Sequence, residues 1–129
     1  MARRHLLIVA HGSRRAASND EVRALGGRVR ALRDPGIEQV EVAFLELAEP
    51  SIPQGLANCV AAGASEIIVF PYFLAAGTHV ASDIPEALDA FREQHPEIQL
   101  RLASHLGASA ALPLTILDVA SQAPRENDR

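Results

Sequence analysis

The chain has 129 residues with a formal net charge of −4 at pH 7, and 48% of its residues are hydrophobic. This length predicts one domain, and the acidic balance argues against nucleic acid as a partner, because phosphate binding needs a basic surface. All 12 basic residues are arginines, which excludes lysine Schiff-base chemistry and a Walker A phosphate loop. Cys59 is the only cysteine, which excludes an internal disulfide and a cysteine-ligated iron–sulfur cluster.

The first predicted element is a strand at residues 6–10, a continuous apolar run typical of a strand that is buried on both faces. This run is shorter than the core of a signal peptide, and no segment has membrane-spanning length, so we expect a cytoplasmic protein without a membrane partner. Residues 18–21 have the capping-box pattern, which predicts that the first helix begins at Ser18. An Asp-Pro-Gly sequence at residues 34–36 ends that helix.

Strands and helices continue to alternate along the chain. The remaining predicted elements are a strand at 40–45, a helix capped at 51–54 and ended by Gly63, a strand at 67–70, a loop at 72–82, a helix from Asp83 to Pro96, a strand at 98–103, a helix at 112–120 and a polar tail at 122–129. This order predicts an α/β fold of three layers, in which helices cover both faces of a four-stranded parallel sheet. We expect a single domain at residues 1–121.

Polar side chains follow the predicted strands at the carboxyl edge of the sheet, where open parallel sheets bind their ligands. His11 follows the first strand and Glu46 the second, while His79 lies in the loop after the third and His105 follows the fourth. Imidazole suits borderline divalent metals, and two histidines with one carboxylate leave coordination positions open. The pattern indicates an open metal site, and a hydrogen-bonding role for each histidine is the alternative.

Two arginines stand close to His11. Arg14 and Arg15 either belong to a solvated loop or bind the carboxylates of a ligand through paired, charge-assisted hydrogen bonds. Ser13 lacks the G-x-S-x-G pattern of a hydrolase nucleophile. His5 starts the first strand and therefore lies at the opposite edge of the sheet.

Three segments resemble the short class II chelatases, the family of sirohydrochlorin cobaltochelatases, ferrochelatases and nickelochelatases. They read LIVAHGSR at residues 7–14, AFLE with PSI within residues 43–52, and FPYFLAAGTHV with DIP within residues 70–85. The resemblance extends from about Leu6 to Gly107, and the segment around His79 is its most specific part. Longer members of this family contain two such domains, so the resemblance implies a homodimer here.

The resemblance also implies an activity, the insertion of Co²⁺ or Fe²⁺ into sirohydrochlorin in cobalamin or siroheme biosynthesis, with Ni²⁺ as a third candidate metal and no need for ATP. The metal ligands and catalytic residues that it implies are His11, His79 and Glu46. The residues assigned to the tetrapyrrole are Ser13, Arg14, Arg15, Tyr72 and Thr78. Which residue accepts the pyrrole proton, and what His105 does, stay open.

Three other interpretations of the same residues remain. In the enzyme IIA domains of the mannose-type sugar phosphotransferase system, a His-Gly pair also follows an apolar first strand, and His11 would then carry a phosphoryl group. A cobalt or nickel chaperone would use the same histidines without catalysis. An interaction domain would use none of them.

Overall fold

The computed structural model describes residues 3–125, apart from the side chain of His79. Its elements, in chain order, are β1 (Arg4–Ala10), α1 (Ala16–Ala31), β2 (Gln39–Phe44), α2 (Ile52–Ala61), β3 (Glu66–Pro71), a π-helical turn (His79–Asp83), α3 (Ile84–Gln94), β4 (Gln99–Leu102), a 3₁₀ turn (Leu106–Ala108) and α4 (Leu112–Ser121). The strands form one parallel sheet in the order β2-β1-β3-β4. The predicted α/β fold with a four-stranded parallel sheet is confirmed.

Helices pack on both faces of the sheet, and glycines allow the close approach. A Cβ atom on Gly26 of α1 would lie 2.6 Å from Val42 Cγ2, and one on Gly55 of α2 would lie 2.8 Å from Ala43 Cβ. Because Val42 and Ala43 point to opposite sides of β2, α1 and α2 lie on opposite faces. We call the two sides the α1 face and the α2 face.

The main core lies on the α2 face. Buried side chains of β1 and β3 pack there against α2 and α3, and the cluster comprises Leu7, Val9, Ala43, Ile52, Leu56, Cys59, Ala64, Ile67, Val69, Ile84, Leu88, Phe91 and Leu100. The cluster fixes the central strands β1 and β3 against the helices, because burial of each large apolar side chain stabilises the fold by roughly 1.5–3 kcal/mol.

A buried carboxylate ties three strands together at the amino edge of the sheet. Glu66 of β3 is 4% exposed, and its Oε2 lies 3.1 Å from Arg4 Nε of β1 and 3.1 Å from Arg101 Nη1 of β4. Burial raises the pKa of Glu66, but the hydrogen bond from Arg101 and the charges of both arginines outweigh it, so the net pKa is below its usual value. The paired charges therefore hold the edge strand β4 against β3.

The start of α1 differs from the prediction. The helix begins at Ala16 rather than Ser18, and its N-cap, Arg15, makes no side-chain capping bond. Ser18 therefore lies inside the first turn and does not cap the helix, while the side chain of Asn19 binds the backbone of Ser13. The second predicted cap is confirmed, since Ser51 Oγ accepts a hydrogen bond from Gln54 N at 3.2 Å.

The prediction of a loop at residues 72–82 is wrong in its second half. A π-helical turn begins at His79, and Ala81 N donates to Gly77 O at 3.0 Å. Val80 lies four residues before Ile84, so the apolar stripe of α3 extends back into this turn. The helical spacing of Val80 and Ile84 is visible in the sequence. Gly77 and Pro85 favoured the prediction of a loop, because glycine and proline usually interrupt helices.

The last helix, α4, was predicted at nearly its observed bounds, yet none of its residues is buried. Within residues 3–125, no helix is long and apolar enough to cross a membrane. The polar tail predicted at 122–129 falls partly outside the described residues, and its boundary with the domain stays a prediction.

Candidate functional site

The carboxyl edge of the sheet brings His11 and Glu46 together. His11 directly follows the central strand β1, and Glu46 N donates a hydrogen bond to His11 O at 3.1 Å, which continues the β1–β2 ladder. The side chains meet as well, with His11 Nε2 3.0 Å from Glu46 Oε1. Both are about half exposed, at 47% and 53% of their side-chain surface, so a ligand in solvent can reach the pair.

Gly12 makes this approach possible. Its φ of +96° lies in the left-handed region that glycine adopts without strain, and a Cβ atom there would lie 1.7 Å from Glu46 O. Any other residue would therefore push the two loops apart. Gly12 was not predicted as a site residue, although a glycine directly after a candidate ligand at a strand end is an available signal.

Asn19 fixes the loop that follows His11. It is 7% exposed, its Oδ1 accepts from Ser13 N at 2.9 Å, and its Nδ2 donates to Ser13 O at 2.8 Å. Ser13 Oγ in turn accepts a hydrogen bond from Arg15 N at 3.0 Å, so this hydroxyl has a local structural partner. Arg14 and Arg15 are exposed on the resulting turn. Their contact with a ligand, like that of Ser13, stays a prediction.

The loop after β3 reaches the same edge, because β3 is the neighbour of β1. Tyr72 N donates to Val9 O at 2.8 Å, and the ring centroid of Phe73 lies 6.4 Å from that of His11. Tyr72 is 37% exposed and is thus accessible, as its predicted role requires. Phe73 was missed in the sequence analysis, since its motif alone does not show which of the two aromatic rings faces His11.

Thr78 and His79 lie further along this loop. Thr78 is exposed, and His79 is the first residue of the π-helical turn. The side chain of His79 lies outside the described residues, so its predicted part in a metal site stays a prediction. Among the side chains that the structure describes, no three His, Cys, Asp or Glu lie close enough together to hold a metal ion.

The segment with His105 returns to the same loop. Gly107 N donates to Phe73 O at 2.9 Å, and a Cβ atom on Gly107 would lie 1.8 Å from Leu74 O. His105, partly buried, begins the turn that makes this contact. Its place at the rim agrees with the topology, while its role stays open.

An acidic pocket lies beside the His11–Glu46 pair. It has a volume of about 480 Å³, and its lining includes the carboxylates of Glu46, Asp83 and Glu86. A second cavity, of about 530 Å³, is lined by the last turns of α1 and the start of β2, and so lies at the opposite edge of the sheet. Of these two cavities, the acidic pocket shares Glu46 with the predicted site.

Comparison with known proteins identifies the family. The sequence model of the CbiX family matches residues 5–123. The chain belongs to the CbiX family. This finding confirms the family that the motifs around His11, Glu46 and His79 predicted.

Curated relatives of this CbiX-family chain carry chelatase names. A sirohydrochlorin ferrochelatase of Priestia megaterium is 35% identical over 102 residues, which are 79% of this chain and 38% of that protein. A sirohydrochlorin cobaltochelatase of Methanococcus maripaludis is 40% identical over 86 residues, which are 67% of this chain and 58% of that protein. The chain thus matches between 38% and 58% of the length of these two relatives.

Solved structures of CbiX-family and related proteins share the fold. A putative cobalamin biosynthesis CbiX protein from Marinobacter aquaeolei is 30% identical with a TM-score of 0.78, and the match covers 92% of this chain and 95% of that one. The sirohydrochlorin chelatase SirB of Bacillus subtilis subspecies spizizenii, solved in complex with cobalt, is 28% identical with a TM-score of 0.82. That match covers 92% of this chain but 50% of SirB.

Proposed function

We propose that this domain is a sirohydrochlorin chelatase, which inserts Co²⁺ or Fe²⁺ into the tetrapyrrole, with Ni²⁺ as a third candidate substrate. The observation that supports it most directly is the hydrogen bond of 3.0 Å between His11 Nε2 and Glu46 Oε1 at the carboxyl edge. Two ligand atoms about 2.1 Å from one metal and at right angles to each other also lie about 3.0 Å apart. An ion that replaces the shared proton could therefore bind both atoms with little movement of the side chains.

His79 is the proposed third ligand. It lies in the loop after β3, and β3 pairs directly with β1, whose end carries His11. Two imidazoles and one carboxylate hold a divalent metal while leaving positions open. An open site suits a metal that must be passed on, because a closed four-ligand cage retains its ion.

The charges around the pair support a division of the site between its two substrates. The pocket that contains Glu46 also presents Asp83 and Glu86, and this concentration of carboxylates attracts a divalent cation. Arg14 and Arg15 are exposed on the turn after His11, where guanidinium groups suit the carboxylate-rich rim of sirohydrochlorin. We propose that the metal enters from the acidic side and that the macrocycle is held by the arginine turn, Ser13, Tyr72 and Thr78.

Insertion exchanges two pyrrole protons for one divalent ion. A base at the rim, either Glu46 or one of the two histidines, accepts a proton from the ring as the metal moves from its protein ligands to the pyrrole nitrogens. The second proton passes to solvent, so that two protons leave for each divalent ion and charge is conserved. We propose that this exchange uses neither ATP nor an iron–sulfur cluster.

The names of the relatives favour this activity over the phosphohistidine carrier, because the matched proteins are named as chelatases. We further propose a cytoplasmic homodimer. Support comes from the single buried thiol, Cys59, which suits a reducing compartment, and from SirB, of which this chain covers half. A second copy of this chain would supply the other half.

A metallation assay tests the proposal. Purified protein is mixed with sirohydrochlorin and Co²⁺, Fe²⁺ or Ni²⁺, and insertion is followed by the change in tetrapyrrole absorbance. We expect His79→Ala to lower the rate by roughly 100-fold, the scale of a lost catalytic group. His95→Ala is the matched control, because it also removes an imidazole but one outside the proposed site. The ring of His95 stacks on that of Phe91 at the end of α3, with ring centroids 4.6 Å apart. Equal rates for both variants, or no metallation by the wild type, would refute the assignment.

A further inference from the structure

Glu46 lies in a short loop whose neck is closed by backbone contacts. Phe44 N donates a hydrogen bond to Pro50 O at 2.8 Å, and Phe44 also forms an isolated parallel bridge with Ser51. The chain therefore leaves the sheet at the end of β2 and returns to the same point at Pro50. We call residues 45–49 the Glu46 loop.

The Glu46 loop contains a strained residue. Leu47 has a φ of +65°, in the left-handed region that leucine disfavours because its Cβ atom then crowds the following carbonyl oxygen. Leu47 is also 56% exposed, so packing in the core does not hold it in this conformation. A strained backbone of this kind persists only where the surrounding structure fixes it. Contacts on either side of Leu47 must therefore fix the loop and, with it, the position of Glu46.

The contacts before and after Leu47 come from different elements. Before it, Glu46 N donates to His11 O at 3.1 Å, which ties the loop to the end of β1. After it, Arg23 Nη2 of α1 donates to Glu49 O at 2.8 Å. Among the described residues, this is the one hydrogen bond that residues 47–49 make. The far side of the loop is thus held by helix α1 rather than by the sheet.

Arg23 is itself fixed in the orientation that this bond needs. Its Nη1 donates to Asp20 Oδ1 at 2.9 Å, one turn earlier on α1, and its Cζ lies 5.0 Å from the ring centroid of Phe44. Phe44 is fully buried at the end of β2, so its ring is a fixed surface. A planar guanidinium group can stack on such a ring while its two terminal nitrogens bond separate acceptors. Arg23 therefore joins α1, the end of β2 and the Glu46 loop.

We propose that Arg23 is a positioning residue, which keeps Glu46 beside His11 by holding the strained loop in its observed conformation. The inference rests on the proposed function, in which Glu46 is a metal ligand. Arg23 acts on the metal only through the loop, because its hydrogen bonds go to Asp20 and to the backbone of Glu49. Without it the loop would populate other conformations, and the affinity for the metal would fall in proportion to the fraction that stays competent to bind.

The first test titrates the purified full chain with Co²⁺ alone by isothermal titration calorimetry. Arg23→Leu should raise the dissociation constant of Co²⁺ by roughly 10-fold, a typical loss when a residue that orients a metal ligand is removed. Arg92→Leu is the matched control, because Arg92 on α3 also pairs with an aspartate one turn earlier, Asp89, and donates to the carbonyl of Leu100. The exposed fractions of the two arginine side chains are 44% and 45%. Equal constants for the two variants would overturn the positioning role.

His11→Ala in the same titration separates this inference from the proposed function. It should weaken Co²⁺ binding at least as much as Arg23→Leu, because it removes a proposed ligand. Wild-type affinity in His11→Ala, or no binding of Co²⁺ by the wild type, would overturn both the metal site and the role of Arg23. A loss in His11→Ala but none in Arg23→Leu would overturn the role of Arg23 alone.

Steady-state metallation kinetics distinguish positioning from a general structural effect. Arg23→Leu should raise the KM for Co²⁺ by roughly 10-fold, by the same loss of the competent loop. The KM for sirohydrochlorin should stay at the wild-type value, since the arginine turn after His11 is unchanged. Equal rises in both KM values would contradict a role that is confined to the Glu46 loop.

A double-mutant cycle tests the link to the strained backbone. Leu47→Asn relieves the strain, since asparagine enters the left-handed region more readily than leucine. In this background Arg23→Leu should raise the dissociation constant of Co²⁺ by roughly 3-fold rather than roughly 10-fold, because the loop needs less support. Both side chains are exposed, so the variants should fold, and circular dichroism checks this. The same loss in both backgrounds would overturn the proposal.

Discussion

Two histidines at opposite ends of β1 show how position relative to the sheet decides the surroundings of an imidazole. His5, near the amino end of β1, is fully buried, and neither of its ring nitrogens has a hydrogen-bond partner among the described residues. His11, directly after the carboxyl end, is half exposed and meets Glu46 at 3.0 Å. The surroundings of the two residues differ because His5 is enclosed by packing near the amino edge while His11 is open to solvent at the carboxyl edge.

The largest expected effect is a difference in metallation rate between variants of these two histidines. His11→Ala should lower the metallation rate by roughly 100-fold or more, because the proposed metal ligand is lost. The free energy of unfolding should stay almost unchanged, because the side chain is half exposed. His5→Leu should leave the rate near the wild-type value. Absorbance assays and urea unfolding check both, and equal loss of activity in the two variants would remove the contrast.

Gly12→Ala should be the next most damaging change, since it acts on the geometry of the open edge. Its backbone conformation costs another residue about 1–3 kcal/mol, and the added methyl group must displace Glu46 O from 1.7 Å. A displacement of about 1 Å can cost roughly 100-fold in rate. Gly27→Ala is the control, because a Cβ atom on Gly27 meets no atom within 4 Å. Wild-type activity in Gly12→Ala would show that the loop tolerates movement.

Asn19→Ala should have a smaller effect, on stability more than on chemistry. It leaves Ser13 N and Ser13 O without their partner, at a cost of about 1–3 kcal/mol. Asn58→Ala is a suitable control, since the exposed Asn58 bonds only the side chain of Gln54 in the described contacts. Thermal unfolding measures the difference, and a matched loss in both variants would contradict a special role for Asn19.

The smallest effect is the pH dependence that His5 adds. Desolvation by burial lowers the pKa of His5, and Arg3 adds to this, while Glu38 and Glu41 oppose it. Below the ordinary pKa of about 6.5, the unfolded chain binds a proton that the folded chain refuses, so the free energy of unfolding falls as the pH falls until the folded pKa is reached. His5→Leu should therefore flatten the wild-type slope in this window. Parallel curves from urea unfolding between pH 7 and 5 would contradict this origin.

The sequence alone predicted which histidine lies at the amino edge of the sheet and which at the carboxyl edge. It did not predict the contacts around them. Apolar runs and their flanking residues placed His11 and Glu46 at one rim, because parallel strands align their carboxyl ends. The hydrogen bonds between Asn19 and the backbone of Ser13 were not predictable, since they depend on the conformation of the turn between the two residues. The bare surface of α4 was equally hidden, because periodicity identifies an apolar helix without showing what it packs against.

The short edge strand has a consequence for solubility. β4 contains only four residues, Gln99–Leu102, and Arg101 occupies it with a half-exposed guanidinium held by Glu66. A long, flat, uncharged strand at the margin of a sheet offers unpaired backbone groups to other chains, and brevity and charge both discourage such pairing. The margin at β4 therefore resists pairing with the edge strand of another molecule.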